Sequence, residues 1–426
     1  MTQLSLGLDL GTSGVRSAVL DDAGNVVSMA RAPYPATDPD NIDAMAWWHG
    51  AAACLAAQME TLRADGHDPR TIKRIGVDGT SGSMVLCAAD LTPVTRGLMY
   101  NSGGFNAQAD AIAALAPDPH ITRGTSSAAA RALYLVSQDT DNRARHLLHQ
   151  ADFIAAKLMG RGGFSDHNNA LKTGFDPDTN AWPAWFETAG LPANLLPDVL
   201  PAGTPVHPIA ATIATTFGFA DDVMIHVGTT DSIAAFLAAA PLQIGAAVTS
   251  IGTTLAVKLL SDVRIDAPDI GLYSHRLGDG WLVGGASNTG GGVLASLFTV
   301  PQLVDLSKQI DPTHASALDY YPLTTPGERF PINDPSLAPR MTPRPADDAE
   351  FLHGLFESIA RIEARCYAEM AARGAPAPVS LVTAGGGASN DVWTAIRARV
   401  MGRDIAQADH TDAAIGTARL ILANAQ

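Results

Sequence analysis

The chain is poor in cysteine, in lysine and in unbroken hydrophobic sequence. Its 426 residues hold three cysteines, Cys54, Cys87 and Cys366, an odd and widely spaced set. That excludes a disulfide scaffold and leads us to expect reduced thiols in a cytoplasmic protein. Cys54 and Cys87 lie in apolar runs and read as small core residues. None of the five lysines follows a glycine, so a Walker-type phosphate loop is absent. The longest apolar stretch, Ile233 to Val257, is interrupted by Pro241, Gln243 and Gly245 and does not read as a membrane span. No basic cluster opens the chain, and Asp9 breaks the first apolar pattern, which argues against a signal peptide. Positive charge is scarce: 28 Lys and Arg against 43 Asp and Glu leave a formal charge of −15. Nucleic acid and acidic membrane surfaces are therefore not expected as partners, whereas a small anion held by backbone dipoles and a metal ion is compatible.

What is present is globular: 46% hydrophobic and 17% charged residues, in a chain long enough for two domains with real cores. The most informative feature is a phrase that occurs twice. Leu10-Gly11-Thr12-Ser13-Gly14-Val15 is echoed by Ile251-Gly252-Thr253-Thr254-Leu255-Ala256. Each reads as an apolar strand, a Gly-Thr-Ser/Thr turn and a second apolar strand. Such a turn offers backbone N–H groups and hydroxyls to an anion. One copy in each half points to two related domains gripping one phosphorylated ligand.

Leu4, Leu6, Leu8 and Leu10 alternate with Ser5, Gly7, Asp9 and Gly11, the period of a strand with one small-residue face. A second strand over 15–20 runs into the turn Asp21-Asp22-Ala23-Gly24-Asn25, so the chain begins as a meander. A helix is predicted over 46–64 and a strand over 72–77, ending in Asp78-Gly79-Thr80-Ser81-Gly82. Residues 105–160 read as mostly helical. Pro192, Pro197, Pro201, Pro205 and Pro208 crowd one region, and a new strand begins at Val223. These place a domain boundary near residue 222, dividing 1–222 from 223–426. The second half repeats the order, with a helix over 233–240. A long amphipathic helix is predicted over 347–373, and a strand over 379–383 leads into Gly385-Gly386-Gly387 and a helix N-capped by Ser389 or Asn390.

Several residues carry two readings each. Asp9 is either a structural carboxylate capping its own turn or a group facing Mg²⁺ and phosphate, and the downstream echo favours the second. Asp231, closing Val227-Gly228-Thr229-Thr230, is an N-cap, a base at a strand-to-helix junction, or both. Gly385-Gly386-Gly387 and the glycine-dense run Gly284 to Gly292 are tight turns or sites of close backbone approach to a ligand. His146 and His149 have metal-ligand spacing on a helix but read as a solvated helix face. No nucleophile elbow is present.

In this order and spacing the motifs resemble those of the FGGY carbohydrate kinases, a branch of the actin/Hsp70/hexokinase-like ATPases. The matching segments are Gly7-Leu8-Asp9-Leu10-Gly11-Thr12-Ser13, Ile75 to Ser81, Val227 to Asp231, Ser250 to Thr254, Gly327-Glu328-Arg329-Phe330-Pro331, and Gly385 to Asn390 followed by Val392-Trp393. Asp78-Gly79-Thr80-Ser81-Gly82 and Gly285-Ala286-Ser287-Asn288 are most similar to the short cyanobacterial and plant D-ribulose kinases. The resemblance implies an α/β fold of two ribonuclease-H-like domains around a central cleft. It also implies that sugar is held mainly by the first and ATP mainly by the second. It further implies Asp231 as general base, Asp9, Asp231 and Ser81 at the sugar, and Asp9 and Asp231 near Mg²⁺, in part through water. Gly11, Thr12, Ser13, Gly252, Thr253, Thr254, Gly291, Gly386, Gly387 and Asn390 are implied at ATP. A monomer or homodimer is expected, with a sugar and ATP as its small-molecule partners. Two departures fall on the sugar side: Met99-Tyr100-Asn101-Ser102-Gly103 replaces a common Trp-x-Asp-x-Arg, and Arg131 replaces a lysine. Other readings are a D-xylulose, glycerol or other polyol kinase, a nucleotide-gated module of the Hsp70 or actin type, and a catalytically silent sugar sensor.

Overall fold

The computed structural model describes residues 3–35 and 42–424. The chain divides into two compact units, Met1–Ala238 with Asp412–Gln426, and Ala239–Thr411. In the first unit, β1 (Leu4–Leu10), β2 (Gly14–Leu20) and β3 (Val26–Pro33) form the expected meander, followed by α1 (Met45–Ala64) and β4 (Ile72–Gly79). A side layer comes next: β5 (Met84–Cys87), α2 (Asn106–Ala113), α3 (Ala128–Gln138), β6 (His146–His149), α4 (Gln150–Met159), β7 (Phe164–Asp166), α5 (His167–Thr173), α6 (Phe186–Ala189) and β8 (Asp198–Leu200). The unit closes with β9 (Pro205–Pro208), α7 (Ala211–Phe217), β10 (Met224–Thr230) and α8 (Asp231–Ala239). The main sheet has the order β3-β2-β1-β4-β10-β9. In it β1 and β10 each lie parallel to β4, so their carboxyl ends share one edge of the sheet.

The leucine face of β1 packs on α1 through Trp47, Ala51, Cys54 and Leu55, all buried. Its small-residue face is buried as well, because the C-terminal helix, Ala413–Ala423, lies directly on it. A Cβ at Gly7 would stand 2.1 Å from the Ala414 carbonyl oxygen, so only glycine admits the helix at this distance. Thus the final segment completes the core of the first unit rather than the second.

The boundary expected near residue 222 falls instead after Ala238. The strand that begins there, β10, pairs parallel with β4 across one register shift, and the proline cluster lies around β8 and β9 inside the first unit. The two histidines also depart from expectation. His146 and His149 are the ends of β6, which pairs antiparallel with β5, and His149 is fully buried. His149 Nδ1 meets Asp152 Oδ2 at 2.6 Å and its Nε2 meets Thr173 Oγ1 at 2.8 Å, so the ring braces the start of α4. The intervening Leu147-Leu148 is too short to distinguish the two periods.

The second unit repeats the plan. β11 (Ala246–Ile251), β12 (Leu255–Ser261), β13 (Tyr273–Leu277) and β14 (Gly280–Ser287) form its antiparallel part. α9 (Gly291–Leu297), α10 (Val300–Ser307) and α11 (Asp348–Ala372) lead to β15 (Ser380–Ala384), α12 (Asp391–Met401) and β16 (Ala406–Gln407). The order is β13-β14-β12-β11-β15-β16, with β15 parallel to β11 as β4 is to β1. The predicted stripe on α11, from Phe351 to Tyr367, is buried. The Arg397 guanidinium, also buried, binds both Glu363 oxygens at 2.6 and 2.8 Å and Thr383 Oγ1 at 2.8 Å, locking α12 to α11 and β15. Among the described residues no helix is long and apolar enough to cross a membrane.

Candidate active site

Three aspartates mark the carboxyl ends of the three adjacent strands β1, β4 and β10. Asp9 and Asp78 are register partners, and Asp231 follows β10 as the first residue of α8. Asp9 is 4% exposed and Asp78 is fully buried. As register partners on adjacent parallel strands, the two residues are near enough for the charge of Asp9 to act on the Asp78 carboxyl. Asp78 Oδ2 accepts from Thr417 Oγ1 of the C-terminal helix, while its Oδ1 finds no donor among the described residues. Arg16 Nη1 stands 3.5 Å from Asp9 Oδ2. Burial is the main reason that Asp9 is raised to about 6, and the neighbouring charges of Asp412 and Asp231 add to it. Asp78 is raised well above the ordinary range, by burial first and then by the charge of Asp9.

A corner of polar residues supports the end of β10. Asp166 Oδ1 caps α5 by accepting from the amides of Asn168 at 2.7 Å and Asn169 at 3.1 Å. Asn168 Nδ2 then donates to Thr229 Oγ1 at 3.0 Å, and Asn169 Nδ2 to the Thr229 carbonyl at 3.2 Å. Asp231 Oδ1 accepts the amide of the next residue, Ser232, at 2.6 Å, a contact within the first turn of α8 and not the bond of an N-cap, which reaches two or three residues on. Thr230 Oγ1 and Asn168 Oδ1 are buried without hydrogen-bond partners among the described residues, as is Ser81 Oγ on the loop after β4. That loop is fixed on both sides. Thr80 donates its amide and its hydroxyl to Gln150 Oε1, at 3.0 and 2.6 Å. Arg131 donates to the carbonyls of Gly82, Tyr100, Ser102 and Ser126, so both departures from the family pattern meet at one buried guanidinium.

The remaining first-unit residues form the β1–β2 turn, closed by the Gly11 amide on the Gly14 carbonyl at 3.0 Å. Its counterpart in the second unit, between β11 and β12, is closed by the Gly252 amide on the Thr254 carbonyl at 3.0 Å. Thr12, Ser13 and Thr253 are exposed, and with Thr254 they make no side-chain hydrogen bond among the described residues. Within the second unit the glycines separate into two kinds. At Gly385, Gly387 and Gly291 a Cβ would stand within 2.6 Å of Ile251 or Gly252 atoms, so these glycines permit packing. At Gly252 and Gly386 it would meet nothing within 4 Å, so packing does not explain them. They lie at the carboxyl ends of the parallel neighbours β11 and β15, where backbone can approach a ligand closely. Asn390 caps α12 by accepting the Trp393 amide at 2.9 Å and donates to Ser307 Oγ at 2.8 Å, which commits its side chain to the fold.

The donor set in the first unit fits Mg²⁺, which takes hard oxygen ligands from one or two carboxylates and keeps several waters. The facing carboxyls of Asp9 and Asp78, with an orphaned buried oxygen, are what such an ion would satisfy. Asp78 carries no role in the sequence reading. Its signal was available, because Val77-Asp78-Gly79-Thr80-Ser81 repeats the form of Leu8-Asp9-Leu10-Gly11-Thr12-Ser13. Asn168 and Thr230 have no such signal, since only the meeting of α5 with β10 gives them a place.

Two units of this topology, each with a glycine-threonine turn after its first strand, define an actin- and hexokinase-like α/β fold. Residues 4–238 match the N-terminal domain, and residues 247–425 the C-terminal domain, of the FGGY family of carbohydrate kinases. The chain belongs to that family. A xylulose kinase of Escherichia coli (strain K12) is 22% identical over 97% of this chain and 89% of its own. Among solved structures, a xylulose kinase from Rhodospirillum rubrum superposes with a TM-score of 0.86 at 20% identity, covering 100% of this chain and 90% of that one. A Plasmodium falciparum glycerol kinase with ADP gives 0.84 at 13% identity, with coverage of 100% and 90%. At these identities the structures establish the shared fold.

Proposed function

We propose that the protein transfers the γ-phosphoryl group of ATP to the terminal primary hydroxyl of a ketopentose, with D-ribulose as acceptor and D-ribulose 5-phosphate as product. The observation that carries this reading is the position of Asp231, at the end of β10 and near enough to the Asp9–Asp78 pair to raise both carboxyls. Ser81, whose buried hydroxyl has no hydrogen-bond partner among the described residues, supports an acceptor on this unit. Gly252 and Gly386 support the nucleotide on the second unit.

In the reaction the acceptor oxygen bonds to the γ-phosphorus, the bond from that phosphorus to the bridging oxygen breaks, and ADP leaves. Asp231 takes the hydroxyl proton. It needs placement rather than unusual basicity, because in a loose transition state the hydroxyl loses its proton late. The corner of Asp166, Asn168 and Asn169 supplies that placement through Thr229. Each turn, taken in its own unit, offers hydroxyls and amides suited to phosphate oxygens. Asp9 and Asp78 would hold Mg²⁺, which when bound supplies neutralising charge to those oxygens.

A second reading, D-xylulose as acceptor, is favoured by the xylulose kinase relative that spans nearly the whole chain. ADP release measured over a panel of ketoses and polyols tests the two side by side. The expected result is the highest kcat/KM with D-ribulose, and a kcat lowered roughly 10²–10⁴-fold in Asp231→Asn with ATP binding retained. A preference for D-xylulose would replace the acceptor. Slow ATP hydrolysis indifferent to every sugar would overturn the ketopentose assignment.

A further inference from the structure

The segment Gly327-Glu328-Arg329 is built with unusual care around one arginine. Glu328 is 2% exposed, and its carboxylate is saturated with donors. Oε2 accepts from Ser287 Oγ at 2.6 Å and Tyr321 OH at 2.8 Å, and Oε1 accepts the amides of Asn288 at 2.7 Å and Arg329 at 2.8 Å. Asn288 Nδ2 also donates to the Gly327 carbonyl at 2.9 Å. A buried carboxylate with four donors fixes the backbone on which the arginine stands. Arg329 itself is exposed, and its Nε donates to Asn288 Oδ1 at 2.7 Å. That single bond orients the guanidinium plane. Nη1 and Nη2 make no hydrogen bond or ion pair among the described residues.

The place matters. Ser287 pairs in register with Leu255, the first residue after the Gly252-Thr253-Thr254 turn. Beyond Asn288 the chain returns to that turn: a Cβ at Gly290 would lie 2.7 Å from the Thr254 carbonyl carbon, and the Gly291 and Gly292 amides bond to the Gly252 and Thr253 carbonyls at 2.9 Å. The end of β14, to which the Gly327–Arg329 segment is bonded, and the turn therefore form one packed piece of the second unit. In a chain with few cations and no Walker lysine, an arginine held by its Nε, with both terminal nitrogens unbonded among the described residues, has the form of a bidentate phosphate receptor.

We infer that Arg329 binds the phosphoryl group undergoing transfer, on ATP before the reaction or on the phosphorylated acceptor after it. This rests on the kinase reading and adds to it a cation beside the second turn. The experiment compares the wild type with Arg329→Gln and Arg329→Lys by calorimetric titration. The probes are ADP, a β,γ-imido ATP analogue and D-ribulose 5-phosphate, and kcat and melting temperature are measured in parallel. A grip on the γ-phosphate weakens the imido analogue in Arg329→Gln by roughly 10- to 100-fold, the range for a charge-assisted hydrogen bond, and leaves ADP unchanged. A grip on the product weakens the sugar phosphate by the same range and spares both nucleotides. In either case Lys restores part of the loss, because it keeps the charge without the fork, and melting is unaltered. Unchanged affinity for all three probes would overturn the inference, as would a lowered melting temperature with equal loss for ADP. The nucleotide titrations do not depend on the acceptor, so a mistaken sugar assignment would leave them readable.

Discussion

At the scale of single residues, the decisive fact is that Asp78 is an aspartate buried against another aspartate. A free aspartate ionises near about 3.9. Asp9 is raised to about 6 and Asp78 well above its ordinary value, so across that window the folded protein holds protons that the unfolded chain has released. Stability contributed by these groups is fully present below pH ~4 and is lost as pH rises through the folded values. Asp78→Asn is neutral at every pH and can still accept from Thr417. It should melt at a higher temperature than the wild type at pH 7.5, with no metal or nucleotide added, and at the same temperature near pH 4. Circular dichroism melts decide this, and an equal or lower melting point at pH 7.5 would remove burial as the cause of the shift. The same variant should lose affinity for Mg²⁺, trading function for stability. Asp9 could be proposed as a site residue from the sequence because its motif has an echo. Asp78 lay in an equally clear motif, but its role depends on a neighbour 69 positions away in the register of β1 with β4.

At the scale of elements, glycine has two uses here that the sequence does not separate. Gly416, on the C-terminal helix, admits α8: a Cβ would stand 1.7 Å from the Ala234 carbonyl oxygen, and neither backbone can yield easily. Gly416→Ala should therefore lower stability by at least the usual ~1–3 kcal/mol of overpacking. Gly386 has open space around its absent side chain and sits in a short helical turn after β15. Gly386→Ala should leave denaturant unfolding unchanged and raise the KM for ATP. A stability loss at Gly386 equal to that at Gly416 would show that both serve packing alone. The strands and long helices were legible because alternation and the 3.6-residue stripe are local patterns. β6 was not, since four residues centred on two leucines carry neither period.

At the scale of the whole molecule, the same sheet plan is used twice, and the chain passes between the units at Ala238–Ala239 and at Thr411–Asp412. The second unit is one continuous segment with its own core. The first borrows its last helix from the end of the chain, and that helix covers β1, β2 and β4. Residues 239–411 expressed alone should give a cooperative unfolding transition, whereas residues 1–238 alone should not. Adding a peptide of residues 412–426 to the latter should restore part of its protection from proteolysis. Independent folding of 1–238 would show that the helix is an ornament rather than part of the core.

The amino-acid sequence by itself determined the opening meander, the long helices, the paired glycine-threonine turns and the family, because side-chain alternation and turn chemistry act over a few residues. Only the tertiary structure decided that β10 belongs to the first sheet, that the final helix closes the first core, and that Asp78 faces Asp9. It also decided that Glu328 and Asn288 aim an arginine from beside the second turn. Those outcomes follow from burial and hydrogen bonding between segments far apart in the chain. Their free energy depends on which surfaces meet, and no local pattern records that.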